Sequence, residues 1–260
     1  MDRQYERVAN QFGPTAAAYA GGTHADKDVL AELLMLLHPI CGDRVLDVAT
    51  GAGNMALTVA PEVASVVALD LTPEMLALTR SRAQERGLRN LAVARGAAER
   101  LPFASQSFSV VTVRIAAHHF ADIATAVREM TRVLKPGGRL LVVDTAVPED
   151  SELDSAINLI EVIRDPSHVR NYKPSEWRSF LEATGLRVEF ERMHSHALGK
   201  PMRFSEWTAR MKVSPSDVER LRVLFQGAST ALREVMNILP QEDDFLFTLP
   251  EITILARFAA

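Results

Sequence analysis

The sequence predicts an α/β protein built on a parallel, doubly wound sheet. Three observations carry that reading. Short β-branched runs alternate with helical periodicity from Arg44 to about Ala146. The strand runs are apolar enough to be covered on both faces. The helical stretches between them begin and end on capping residues. At 260 residues, a single large core with additions is expected.

In chain order, residues 1–38 hold a polar, aromatic lead and a helix from about Ala25 to Leu37. Strands follow at Arg44 to Ala49, Ser65 to Asp70, Leu91 to Arg95, Phe108 to Ile115 and Arg139 to Asp144. Between them lie helices at Asn54 to Ala60, Pro73 to Arg86 and Ala121 to Leu134. The second is opened by Thr72 as N-cap and Pro73 at the first position, and closed by Gly87. The third is stopped by Lys135-Pro136-Gly137-Gly138. Beyond these, Ser151 to Ile163 and Pro174 to Thr184 read as helices and Leu186 to Met193 as a sixth strand. Residues 204–238 read as helical with a break at Val213-Ser214-Pro215, and Phe245 to Ala256 as a last strand interrupted by Pro250. Met202, Trp207 and Met211 recur near the helical period, which predicts a cap core that also has the option of walling an apolar pocket. The basic run Arg80, Arg82, Arg86 and Arg89 predicts a solvated helix face.

Composition narrows the function classes. The net charge of -4 lacks the broad cationic field of a nucleic-acid binder. Cys41 is the single cysteine, so an intramolecular disulfide and a cysteine-rich zinc site are excluded, and with no H-E-x-x-H pair no metal is expected. Met1 to Glu6 lacks the basic start and apolar stretch of a signal peptide, and no run approaches the ~18 apolar residues of a membrane span. A cytoplasmic protein without membrane insertion, monomeric or homodimeric, is expected.

The chemistry sits after the first strand, in Asp47-Val48-Ala49-Thr50-Gly51-Ala52-Gly53-Asn54. Its glycines permit a sharp turn and a close ligand, and the helix start offers unpaired N–H groups. Asp70 ends the next strand, near the ~20-residue spacing at which a carboxylate accepts hydrogen bonds from a ribose. Gly51, Gly53 and Ala56 formally satisfy a dinucleotide fingerprint, so NAD stays open. Asp47 favours another ligand, because a carboxylate at the loop mouth repels a pyrophosphate and attracts an ammonium group. S-adenosylmethionine carries both an ammonium group and a ribose.

Four segments carry a family resemblance: Val45-Leu46-Asp47-Val48-Ala49-Thr50-Gly51-Ala52-Gly53, Ala68-Leu69-Asp70, Ala98-Glu99-Arg100-Leu101-Pro102-Phe103, and Arg132 to Leu140. They resemble the successive motifs of class I S-adenosylmethionine-dependent methyltransferases. The nearest likeness is to the UbiE-like small-molecule enzymes of the YcgJ type, carried by Arg114 to Phe120 and Arg164 to Arg170. The resemblance implies a Rossmann-like, seven-stranded, mostly parallel sheet whose last strand is antiparallel and inserted beside the sixth. It implies a helical lid over residues 1–43 and a methyltransferase domain over 44–260, with helical insertions at about 151–175 and 200–245. It also implies that Asp47, Gly51 and Gly53, with Ala49 in the same loop, hold the methionine end, that Asp70 holds the ribose, and that Leu71, Ala98 and Glu99 contact the adenine. Ala97 and Ser109 stand where the family commonly has acidic residues.

Ligands of an open α/β sheet bind beyond the carboxyl ends of the strands, near where strand order reverses, which places Arg114 to Phe120 at the site. His118 and His119 are candidates to accept a proton or position an acceptor, and Arg114 to stabilise negative charge. Each also has a packing role open to it: capping, lying under the cofactor, or tying the strand end to a carboxylate such as Asp144. Phe12, Tyr19 and His24 resemble lid residues that touch substrate in this family. His168 and Arg170 suggest a polar or anionic acceptor. The expected function is methyl transfer to a small-molecule O, N or C nucleophile, quinone-like or a secondary metabolite. The alternative is a protein that binds S-adenosylmethionine for a non-methylating reaction or as a binding module.

Overall fold

The computed structural model describes residues 2–16, 19, 21, 26–194 and 201–259. The central sheet contains β1 (Arg44–Val48), β2 (Ser65–Asp70), β3 (Leu91–Arg95), β4 (Phe108–Arg114), β5 (Leu134–Thr145), β6 (Leu186–His194) and the late strand β10 (Glu251–Phe258). Their order is β3-β2-β1-β4-β5-β10-β6. β1 pairs in parallel with both β2 and β4, so the order reverses there and a crevice opens at the carboxyl ends of these strands. β10 runs antiparallel between β5 and β6, as the family resemblance implies.

Alternation along the strands divides the core into two layers. Leu46 and Val48 of β1 face the cluster that includes α5 (Ile123–Val133) and α7 (Pro174–Glu182). Val45 faces the opposite cluster, with Leu30, Leu33 and Leu37 of α2 (Lys27–Leu37) and Met55, Ala56 and Val59 of α3 (Asn54–Val59). The caps follow the sequence signals. The Asp26 carboxylate accepts from the first free amides of α2, and Asp122 accepts from Thr125 N at the start of α5. At α4 (Pro73–Glu85), Thr72 holds the N-cap position with Pro73 at the first helical position, but the Thr72 side chain makes no capping hydrogen bond.

Two elements differ from the sequence reading. The stretch 245–256 is not one strand. β9 (Phe245–Phe247) joins a small sheet with β7 (Met202–Arg203) and β8 (Leu239–Pro240), and the chain enters the central sheet only after Pro250. Proline breaks the run by lacking a ladder donor, and the two halves pair in different sheets. Lys135 to Gly138 is likewise no free loop but the start of β5, with a register irregularity against β4 between Phe108 and Val110.

A third core lies over the sheet ends. It joins α6 (Ser151–Arg164), α8 (Phe204–Arg210), α9 (Pro215–Gln226) and α10 (Thr230–Val235) to the small sheet. Phe225 is at its centre, with ring centroids of Phe204 and Phe247 each 5.0 Å away. The amino-terminal helix α1 (Asp2–Phe12) closes the crevice from the other side.

Candidate active site

The crevice is one continuous cavity bounded by the sheet ends, α1 and the cap. The loop after β1 is braced by Asp47. Thr50 Oγ1 and Thr112 Oγ1 each donate to its carboxylate at 2.6 Å, and Ala56 N donates at 3.1 Å. Burial holds this carboxyl above the ordinary carboxylate range, against those hydrogen bonds and the charge of Arg114. Gly51, at φ 54°, lines the cavity, and its N–H donates to Asp70 at 2.8 Å. Ala49 lines it too, at φ 52°. Gly53 does not line the cavity. It sits at φ 79°, and a Cβ there would come within 2.7 Å of Thr79, so its glycine serves the packing of the loop on α4. Arg82 departs from the solvated helix face. Its guanidinium donates to Ala52 O and to Asn54 Oδ1, clamping the glycine loop.

Asp70 ends β2 with one oxygen accepting from Gly51 N and the other from Thr72 N at 2.9 Å. Burial raises its proton affinity against these bonds. Each oxygen keeps lone-pair capacity for a further donor. Neither Asp47 nor Asp70 has an ion-pair partner at salt-bridge distance among the described residues. Two buried carboxylates on one cavity wall therefore fit a ligand that brings a cationic group and hydroxyl donors, which S-adenosylmethionine does and a pyrophosphate does not. Leu71 and Ala98 line the adjoining wall. Glu99 also lines it, but its carboxylate accepts from Tyr5 Oη at 3.0 Å and Ala121 N at 2.8 Å, linking α1 to the loop after β4.

At the end of β4, Ile115 takes φ 50°, unusual for a β-branched residue, and turns the chain into the short 3-10 segment Ala117–His119. Arg114, His118 and His119 all line the cavity. His118 Nδ1 donates to Asp144 Oδ1 at 2.6 Å, and its backbone N donates to the other oxygen at 2.9 Å. A carboxylate only accepts, so the proton of neutral His118 sits on Nδ1, and Nε2, an acceptor, has no hydrogen-bond partner among the described residues. Burial opposes protonation of this ring, but the charge and hydrogen bond of Asp144 outweigh it and raise the pKa above its usual value. His119 shifts the other way, through burial and the neighbouring charge of His118. Its Nδ1 faces Ser167 O at 3.1 Å, and its ring meets Phe12 edge to face at 5.0 Å.

Phe12 and Tyr19 reach the cavity, whereas His24 falls outside the described residues. His168 and Arg170 do not line it. His168 Nε2 meets Asn158 Oδ1 at 3.2 Å, and burial pushes its pKa down to about 2. Arg170 pairs with Asp154 at 2.9 Å and Glu176 at 3.2 Å, holding α6 to α7. The charges that do reach the cavity from this region are Glu161, Arg164, Asp165 and Arg210. Sequence reasoning missed them, although Glu161 and Arg164 share the helical face of the buried Ile157 and Ile160. Charges on an apolar face were the available signal. Trp207, Met202 and Met211 also line the cavity, and Trp207 belongs to the cap core as well.

Residues 46–142 match the family described as a methyltransferase domain. Over 177 residues, 68% of each chain, the sequence is 42% identical to a protein of Bacillus subtilis named as the uncharacterized methyltransferase YcgJ. The crystal structure of YcgJ superposes with a TM-score of 0.82 at 33% identity, covering 90% of this chain and 99% of that one. The ubiquinone/menaquinone biosynthesis C-methyltransferase UbiE of Teredinibacter turnerae is 36% identical over 165 residues, 59% of this chain and 66% of its own length. With the strand order, the braced glycine loop and the paired carboxylates of β1 and β2, these similarities mean that the chain belongs to the class I S-adenosylmethionine-dependent methyltransferases.

Proposed function

We propose that the second half of the cavity receives a small-molecule nucleophile and that His118, oriented by Asp144, takes its proton. The 2.6 Å bond between the two, with Nε2 of a cavity-lining ring left without a hydrogen-bond partner among the described residues, is the observation that carries this reading. S-adenosylmethionine, when bound, supplies an electrophilic methyl group on a sulfonium. Asp70 holds its ribose, the loop of Asp47, Ala49 and Gly51 its methionine end, and Leu71 with Ala98 its adenine. Arg114, at the end of β4, steadies negative charge that develops on the acceptor.

Helix α1 serves as the lid. Gln4 Nε2 donates to His119 O at 3.0 Å and Ser167 O at 2.6 Å, so closing α1 also fixes the segment that carries His119. Excluding water and aligning the nucleophile supply roughly 7–11 kcal/mol of the barrier in reactions of this kind. A base of this type adds about 10²–10⁴-fold. Phenols and enols are the acceptors that benefit from one, and the name of UbiE, a quinone-pathway C-methyltransferase, supports an acceptor of that kind. The test is transfer to a panel of phenols and hydroquinones by wild type and by His118→Gln. A fall in kcat of about 100-fold with unchanged S-adenosylhomocysteine affinity is expected. An unchanged kcat removes the base from the mechanism.

A further inference from the structure

Where α6 meets α8, the cavity wall holds two guanidiniums that the described residues leave short of hydrogen-bond acceptors. Arg164 is 9% exposed, and its Nε donates to Trp207 O at 3.4 Å. Its guanidinium lies 4.5 Å from the Trp207 ring centre. The nearest carboxylate oxygen, Glu161 Oε2, is 4.0 Å from Nη1, beyond hydrogen-bond reach. Among the described residues, Arg210 Nε is buried with no hydrogen-bond partner, and Nη2 reaches only Met202 Sδ, at 4.0 Å. Glu161 is itself 3% exposed, and its Oε1 is a buried oxygen without a partner. Asp165, the other carboxylate nearby, already accepts from Ser167 N at 2.8 Å and Ser167 Oγ at 2.7 Å.

A guanidinium carries five donors in a planar fork, and burying it without acceptors is costly. Arg164 sits on Trp207 of α8, and Arg210 follows Trp207 by three residues on the same helix, so the two forks are brought to one face of α8. Two adjacent cations with unused donors, both facing one cavity, match a planar oxyanion that takes parallel N–H···O bonds. The same cavity is lined by the apolar Phe12, Trp207, Met211 and Leu249, and by Tyr19, whose hydroxyl feels the charge of both arginines.

We infer that the methyl acceptor is a carboxylic acid with an apolar body, its carboxylate held between Arg164 and Arg210. This deepens the reading that the cavity takes the acceptor and rests on it. Glu161, unpaired at Oε1, balances the guanidiniums and selects against a second negative charge on the substrate. His118 then faces the reacting end while the arginines hold the other.

Benzoate and its neutral isostere benzamide test this by calorimetric titration of the S-adenosylhomocysteine-saturated protein. Benzoate is expected to bind at least about tenfold tighter than benzamide, and Arg210→Gln and Arg164→Gln each to abolish that preference while leaving S-adenosylhomocysteine affinity in place. Glu161→Gln, which removes a buried charge and keeps both guanidiniums, is expected to tighten benzoate. Equal affinity for the two probes, absence of saturable benzoate binding, a preference that survives both arginine changes, or weaker benzoate binding in Glu161→Gln each overturns the subsite. Transfer to neutral phenols that depends on His118 would then still stand. Benzoate binding without any dependence of transfer on His118 would instead keep the subsite and remove the base.

Discussion

Ala49 and Ile115 both hold the left-handed backbone region, at φ 52° and 50°, and both flank the carboxyl ends of the strands that bear the site. An L side chain there costs about 1–2 kcal/mol, persisting because the surrounding loop dictates the turn. Ala49→Gly is expected to raise unfolding free energy by about 1 kcal/mol in denaturant titration, since glycine takes this φ without the Cβ penalty. Asp70→Ala removes the acceptor at the end of β2 and should weaken S-adenosylmethionine about 10–100-fold by calorimetry. The pKa of His118 is raised above 6.5, so the base form, and with it kcat/KM, should grow as pH rises through a value above 6.5. Asp144→Asn deletes the charge that outweighs burial, so that limb of the pH–rate profile should move to lower pH while the plateau falls. For folding, the same shift works in reverse: stability present below the unfolded-state value is lost as pH rises through the folded one. Asp47 and Asp70 were legible at this level because their spacing from the glycines is local. Arg82 was not, because its partners lie 28 and 30 residues away on another element.

Helix α1 is mostly polar and, apart from the packing of Phe12 on His119, is held by polar bonds: Gln4 to the His119 and Ser167 carbonyls, and Tyr5 to Glu99. A segment fastened this way opens at low free energy. Amides of residues 2–12 should therefore exchange fast in the free protein and slow on addition of S-adenosylhomocysteine, and Gln4→Ala should erase most of that slowing. α6 follows a different logic. Asp150 caps it and Ile157 and Ile160 bury it, while Glu161 and Arg164, one turn on, bring charge to the cavity on the same stripe. A periodicity reading finds the helix. It does not say that the stripe passes from core to cavity partway along.

The cap is a hydrophobic unit in its own right, separate from both layers of the sheet core. Phe225 is fully buried among Phe204, Phe245 and Phe247. Phe225→Ala should cost about 3–5 kcal/mol, and hydrogen exchange should show the loss in residues 201–249 before the central sheet. Because Trp207 belongs to this cluster and also lines the cavity, loosening the cap should weaken acceptor binding more than cofactor binding.

The sequence by itself determined the class of fold, the chain order of its central strands and helices, and the presence of Asp47, Ala49, Gly51 and Asp70 where β1 and β2 end at the crevice. Those features rest on local signals: alternation, caps, and a loop whose glycines and acids stand within one strand-turn-helix unit. Packing in three dimensions alone settled the rest. It split 245–256 between two sheets, took His168 and Arg170 away from the cavity by giving them partners in Asn158, Asp154 and Glu176, and brought Glu161, Arg164, Asp165 and Arg210 to the cavity in their place. The part of the cavity proposed for the acceptor is lined from β4, β5, α1, α6 and α8. Contacts between residues tens of positions apart leave no pattern in one sequence, because their spacing is set by how the cap seats on the sheet and not by the period of any one element.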